Sequence, residues 1–275
     1  INGIITKQFG TQIKPLCFWS FTDNDTGNVQ GTLEMLSTQP IVAERHLHYG
    51  EAIKGVAVGQ LGQVLDLPQM PTKIYFAQVA AGNWGDWVQV INVSNEDARL
   101  LALARDEVGQ TIWSSEKTLR PYQGWVVPVD PVAVDKDLSL VVSSDKPLVG
   151  ERHCHLKTEV LAFPGASPEA KSAGRRLFFP ELVAGSYDFF RGFNISDQDA
   201  LISAIVRDIN GAIRVQISTQ VKPLCYWTML DEETMNVQGT LEMLSTQTIV
   251  AERHLHYGTQ YHPGVAVGQL GQVLD

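Results

Sequence analysis

Three times along the chain a glutamate is followed, at alternate positions, by two histidines: Glu44/His46/His48, Glu151/His153/His155 and Glu252/His254/His256. In an extended strand alternate side chains share a face, so each triplet projects one carboxylate and two imidazoles to the same side. Neighbouring histidines then lie about 6.6 Å apart, close enough to share one metal ion, while Glu and the second His are about 13 Å apart. Zinc binding would therefore need a third ligand from a neighbouring unit, with His262 one candidate. The opposite face carries Ala43, Arg45 and Leu47, and Cys154 stands where Leu47 does. That substitution predicts Leu47 and Cys154 toward a core and the histidines outward, on a polar strand facing solvent or a neighbouring domain.

Other candidate chemistry is sparser. The acidic loops at Asp23-Asn24-Asp25-Thr26-Gly27-Asn28 and Asp231-Glu232-Glu233-Thr234 offer oxygen ligands for calcium, but without the twelfth-position Glu and flanking helices of an EF-hand. They read as solvated hairpin loops, and no cofactor is required. Asn24, Asn92 and Asn194 each begin a glycosylation sequon. The last two are equivalent turn positions, where Asn is also favoured for its backbone conformation. Trp84 and Trp87, with Tyr187 and Phe190 as counterparts, lie near a loop and are the candidates for stacking on glycans. Trp19, Trp125 and Trp227 recur as a core anchor. No Gly-x-Ser-x-Gly elbow, phosphate-binding glycine loop or His-Glu-x-x-His helix is present, so an enzyme is not expected.

The elements that hold these residues follow from internal repetition. Lys14 to Gly50 recurs, nearly residue for residue, at Lys222 to Gly258, an offset of 208. The match already holds at Ile1-Asn2-Gly3 and Ile209-Asn210-Gly211, and GVAVGQLGQVLD closes both copies, at Asp66 and Asp275. A weaker copy lies between: DKPLVGERHCHL (Asp145 to Leu156) matches TQPIVAERHLHY, NVSNEDA matches NISDQDA, and KIYFAQVAAG matches RLFFPELVAG. The unit is about a hundred residues long, in two alternating flavours.

Within the middle unit, β-branched and aromatic runs alternate with turn clusters and give about seven strands between Lys73 and Leu156. Seven strands at that spacing predict an antiparallel sandwich of immunoglobulin-like size. The fold class is therefore all-β: tandem immunoglobulin-like antiparallel β-sandwich domains joined by short linkers, the first domain incomplete. The divisions are residues 1–50 (the C-terminal part of a repeat), 51–72 (linker), 73–156 (a complete repeat), 157–175 (linker), 176–258 (a complete repeat) and 259–275 (a tail). Ile1 aligns with Ile209 in mid-unit, and residues 177–208 have no counterpart ahead of it, so residues 1–50 alone would leave a core face open. The expectation is a window of a longer tandem array, or a unit completed by strands from another subunit.

The aromatic openings (Tyr75-Phe76-Ala77, Phe178-Phe179-Pro180), the Asn-bearing turns (Asn92, Asn194) and the closing strands (Gln39 to Arg45, Asp145 to Arg152, Gln247 to Arg253) resemble the tandem β-sandwich repeats of large secreted or cell-surface bacterial proteins. The resemblance covers most of the chain. It implies an extracellular structural segment of a fibre, sheath, surface layer or stalk, partnered head-to-tail by copies of itself or neighbouring repeats; the alternative is an adhesin that presents loop aromatics to glycans. The Glu-Arg-His-x-His extension is not a feature of that pattern.

Composition agrees. Over 275 residues the apolar share is 44% and the charged share 19%, which excludes disorder. No uncharged apolar run approaches the ~20 residues of a membrane span. A net charge of −9 lacks the basic footprint of a nucleic-acid binder. Three cysteines (Cys17, Cys154, Cys225) are too few for a disulfide framework and read as small buried hydrophobes.

Overall fold

Strand-forming runs dominate the chain, and in the computed structural model they pair throughout as antiparallel ladders. The structure describes residues 2–27, 29–48, 57–79, 85–129, 136–156, 159–256 and 266–274. Up to Ala43 the chain is extended coil apart from the four-residue helix α1 (Asp23–Thr26), and then β1 (Glu44–His48) pairs with β2 (Ala57–Leu61). The second unit comprises β3 (Lys73–Val79), β4 (Gly85–Asn92), β5 (Ala98–Arg105), β6 (Thr111–Leu119), β7 (Gly124–Val127), β8 (Leu138–Ser144), β9 (Leu148–Leu156) and β10 (Glu159–Pro164). The third comprises β11 (Gly174–Leu182), β12 (Tyr187–Asn194), β13 (Ala200–Asp208), β14 (Ile213–Val221), β15 (Tyr226–Leu230), β16 (Gly239–His256), β17 (Ala266–Leu270) and β18 (Gln272–Val273).

The second unit is a sandwich. One sheet runs β3-β8-β5-β6 and the other β10-β9-β4-β7. Alternate residues of both sheets meet in one core, including Ile74 and Phe76 of β3, Val88 and Val90 of β4, Leu100 of β5 and Leu140 of β8. The immunoglobulin-like strand order is not reproduced. Lettered A to G, β3 to β9 divide into A-F-C-D and G-B-E, whereas the constant immunoglobulin division is ABED and CFG. The first strand lies beside the sixth, and the last beside the second.

The third unit repeats the plan with two differences: β18 adds a short strand beside β11, and one strand is continuous. Where β8 and β9 are separate, β16 runs unbroken for 18 residues, its first half pairing with β11 and β13 and its second with β12 and β17. The break in the second unit falls at Asp145-Lys146-Pro147; Thr248 stands at the place of Pro147 in β16.

The segments expected as linkers are corrected by the structure: β2, β10 and β17 are strands, each turning back antiparallel along a Glu-Arg-His strand. The reason lies in their alternating apolar residues (Val58; Val160, Ala162; Ala266), which find buried sites along that strand.

Candidate functional site

Each Glu-Arg-His strand and its returning partner form a hairpin, and the hairpins stack along the chain. Val58 of β2 packs on Val160 and Ala162 of β10; Phe163 of β10 packs with Ala266 and Leu270 of β17. The second contact is close enough that a Cβ at Gly268 would lie 2.7 Å from the Phe163 ring, a position that only glycine occupies without displacement. At Gly59, the same position in the first hairpin, the space is open.

The arginine at the centre of each motif binds within its own unit, and those of the first two units also reach the next. Arg152, with no solvent exposure, donates from Nε to Asp86 of β4 at 2.9 Å and from Nη1 to Glu252 of the third unit at 3.0 Å. Its guanidinium lies 5.1 Å from the Phe163 ring. Arg253 donates to both carboxylate oxygens of Asp188 on β12, at 2.7 and 2.9 Å, and to Gln269 of β17 at 3.1 Å. Arg45 bonds Gln60, the equivalent of Gln269, and approaches Glu151 of the second unit at 3.5 Å. Arginine of one unit facing glutamate of the next is thus seen twice, Arg45 to Glu151 and Arg152 to Glu252.

Around the Arg152–Glu252 pair the second and third units share a buried face. Tyr75, Ala77, Val141, Ala166 and Ala173 meet Phe193 and Val250. Glu252 also accepts the Ala77 backbone N–H at 2.7 Å. Burial pushes the Glu252 carboxyl up, but His254 and the Arg152 charge outweigh it and hold the group below the usual range. A second ion pair closes the same face: Arg191 of β12, wholly buried, binds both oxygens of Asp137 and lies 3.9 Å from the Tyr226 ring, whose hydroxyl donates to the Asp137 carbonyl.

In the complete units the histidine face meets a neighbouring unit rather than solvent: His153 and His254 are buried, His155 and His256 half-buried. His153 lies against Trp87 with ring centres 5.1 Å apart, and His254 sits between Phe163 and Phe189 at 4.8 and 5.0 Å. Burial drives the His254 imidazole down to about 4, so it is neutral at pH 7. Its Nε2 faces the Glu252 carboxylate, 3.7 Å from Oε2. His256 pairs with Glu159 at 2.9 Å, and His155 is half-buried with its ring 6.2 Å from His153. Only in the first unit are the motif's side chains open: Glu44, His46 and His48 are exposed, with Glu44 and His46 3.4 Å apart. Cys154 is buried as expected, but against Leu161 and Phe163 of β10 and Ala266 of the third unit. The side that His153 occupies, with Val160 and Ala162 of β10, meets Val58 and Arg45 of the first unit, Arg45 Nη2 lying 3.3 Å from His153 Nε2. Among the described residues no cluster of three His, Cys, Asp or Glu is arranged to hold a metal; His262 lies outside them.

Other expectations sort similarly. Phe190 is a core residue with no exposure, and the register makes Phe189 the equivalent of Trp87, since each stands opposite the first histidine of its motif. That corrects Phe190 as a ligand contact. Trp87 and Tyr187 are half-buried against His153 and His256; Trp84 lies outside the described residues. Asn92 and Asn194 are corrected as glycosylation sites because their side-chain nitrogens are buried and committed. Asn92 Nδ2 donates to the carbonyls of Glu96, Leu119 and Arg120, and Asn194 Nδ2 to those of Gln198 and Val221. The sequon serines bond the same asparagines at 2.7 Å, so each Asn-x-Ser is a turn staple. Asn24 is exposed in α1. The acidic loops spend oxygens on their own backbones: Asp25 accepts the Thr22 N–H, and Glu233 that of Leu230. Cys225 is buried but Cys17, its repeat equivalent, is exposed, because residues 2–43 lack a covering sheet.

Asp86, Asp188, Asp137 and Arg191 were not legible as site residues. For the first two the signal was available: each stands six residues before a repeat-equivalent asparagine.

No protein-family model matches the chain, and no curated protein matches it. Among solved structures it is similar to a protein from Parabacteroides distasonis inferred to be secreted, at 12% identity over 76% of this chain and 81% of that one. The TM-score is 0.20, too low to carry an argument. No helix of the described residues is long and apolar enough to cross a membrane.

Proposed function

We propose that this chain is an extracellular structural repeat protein, a segment of a head-to-tail fibre, sheath, surface layer or stalk. The observation that supports it best is the serial arrangement of the Glu-Arg-His hairpins, in which the arginine of one unit reaches the glutamate of the next. An ion pair buried between domains ties their orientation to its own geometry, because a displaced partner would leave a charge in a low-dielectric site. The Arg191–Asp137 pair at the same face adds a second constraint. Repeats joined in this way propagate a fixed rotation and spacing, as solenoid arrays do. The extracellular placement rests on the resemblance of the repeats to those of secreted and cell-surface proteins. Electron microscopy of native material tests the reading: ordered filaments or layers with an axial period equal to the two-unit super-repeat are expected. A monodisperse 30.3 kDa particle at every accessible concentration would overturn it.

A further inference from the structure

Residues 2–43 have the sequence of a folded half-unit and none of its partners. In the third unit the equivalent residues form β14, β15 and the first part of β16, which pair with β11, β12 and β13. Leu33, Met35, Ile41 and Val42 are exposed, while their equivalents Leu241, Met243, Ile249 and Val250 are wholly buried. Among the described residues, the backbone from Ile4 to Val42 joins no strand ladder. The motif that follows is open for the same reason. Arg152 and Arg253 each bind an aspartate from the second strand of their own unit, and His153 and His254 each meet an aromatic ring one residue beyond it. Among the described residues, Arg45 and His46 meet neither.

We infer that residues 2–48 are an acceptor surface for a three-strand segment of the β11–β13 type, whose second strand places an aspartate on Arg45 and, one residue on, an aromatic ring on His46. The inference rests on the repeat-array reading and names the chemistry of the join. The occupant is defined by what covers the same sequence in the third unit: apolar strands over Leu33, Met35, Ile41 and Val42, and a carboxylate for a guanidinium that is now 47% exposed. A second copy of this chain fits less well, because its own β11–β13 are already filled by β14–β16; insertion of one copy would expel an equal segment of the other.

The test uses the full chain carrying an added copy of residues 174–208 ahead of Ile1, so that the new junction repeats Asp208-Ile209. Hydrogen exchange then reads residues 33–43 against 241–251 in one molecule, since Pro40 and Thr248 distinguish the peptides by mass. Exchange in 33–43 should slow by about a hundredfold or more toward the rate of 241–251. Changing the added aspartate equivalent to Asp188 to Ala should reverse part of that protection. Continued fast exchange in 33–43 while 241–251 stays protected would overturn the inference, as would protection of 33–43 in the unextended chain that rises with concentration alongside dimers. Filaments without ordering of 33–43 would sink the inference but leave the array reading; ordering without filaments would do the reverse.

Discussion

Lys14–His48 and Lys222–His256 are nearly the same sequence in two different states. In the second, Val250 is fully buried and its strand is paired on both sides; in the first, Val42 is 90% exposed in coil. The shared residues carry the same intrinsic preferences, so the difference isolates what the neighbours supply. β-propensity is chiefly fitness for packing on a pleated surface, and without β11, β12 and β13 there is no surface to fit. Only where a local partner exists does the first copy form a strand: β1 pairs with β2, and eight residues of connection are enough to close that hairpin.

The sharpest way to break the comparison is to remove the same charge in both copies. Glu252→Ala leaves Arg152 Nη1 and the Ala77 N–H buried without their acceptor, Asp86 alone remaining to Arg152, and loss of about 3–5 kcal/mol of unfolding free energy is expected. Glu44→Ala, at an exposed side chain, should change stability by less than about 0.5 kcal/mol. Urea unfolding of the two variants measures both; equal losses would mean that the first copy is as well packed as the third. A core pair gives the next contrast. Met243→Ala should cost about 2–5 kcal/mol. Its equivalent Met35→Ala should be close to neutral, because Met35 has no sheet to pack on.

How much of this was legible in the sequence follows the same division. Strand positions, the sandwich class and the repeat register are local or periodic properties, and they were readable from runs such as KIYFAQV and WVQVINVS. What the strands do to one another was not. Phe163 belongs to a segment rich in small residues that reads as a linker, and nothing local shows that its ring lands between Arg152 and His254. For the histidines, the alternation rule identifies a shared face but not whether solvent or a neighbouring domain covers it. Here a second unit covers it, through contacts a hundred residues away in the chain. Asn92 and Asn194 were ambiguous for a different reason: Asn-x-Ser serves as a sequon or as a turn staple, and only the buried carbonyls of Leu119, Arg120 and Val221 decide between them.

Acid should separate the two copies as well. His254 is depressed from 6.5 to about 4 by burial, so between those values the unfolded chain binds a proton that the folded chain does not. Stability contributed by the neutral imidazole is therefore complete above about pH 6.5 and falls as pH drops toward 4, with about 2 kcal/mol lost between pH 7 and pH 5. Glu252, also held below its ordinary value, adds a loss in the same direction at lower pH. Unfolding free energies across that range should show the decline, and His254→Gln should flatten it. An unchanged slope in that variant would assign the acid sensitivity elsewhere.

The smallest effect distinguishes the third unit from the second at a single residue. The N–H of Val93 donates to the Pro147 carbonyl at 3.1 Å, and that of Ile195 to the Thr248 carbonyl at 3.3 Å, so the two backbones pass the same point in the same way. Pro40 occupies the position in the first copy. The ladder on either side of Thr248 is held by Ser245 and Ile249, not by Thr248 itself. Thr248→Pro should then split β16 into two strands, as β8 and β9 are split, without disturbing the ion pairs beyond it. A proline in a compatible conformation restricts the unfolded chain, and a gain of about 0.5 kcal/mol is expected. A loss of more than about 1 kcal/mol would show that the continuity of β16 contributes to the third unit, and that its two halves are coupled in a way those of the second unit are not.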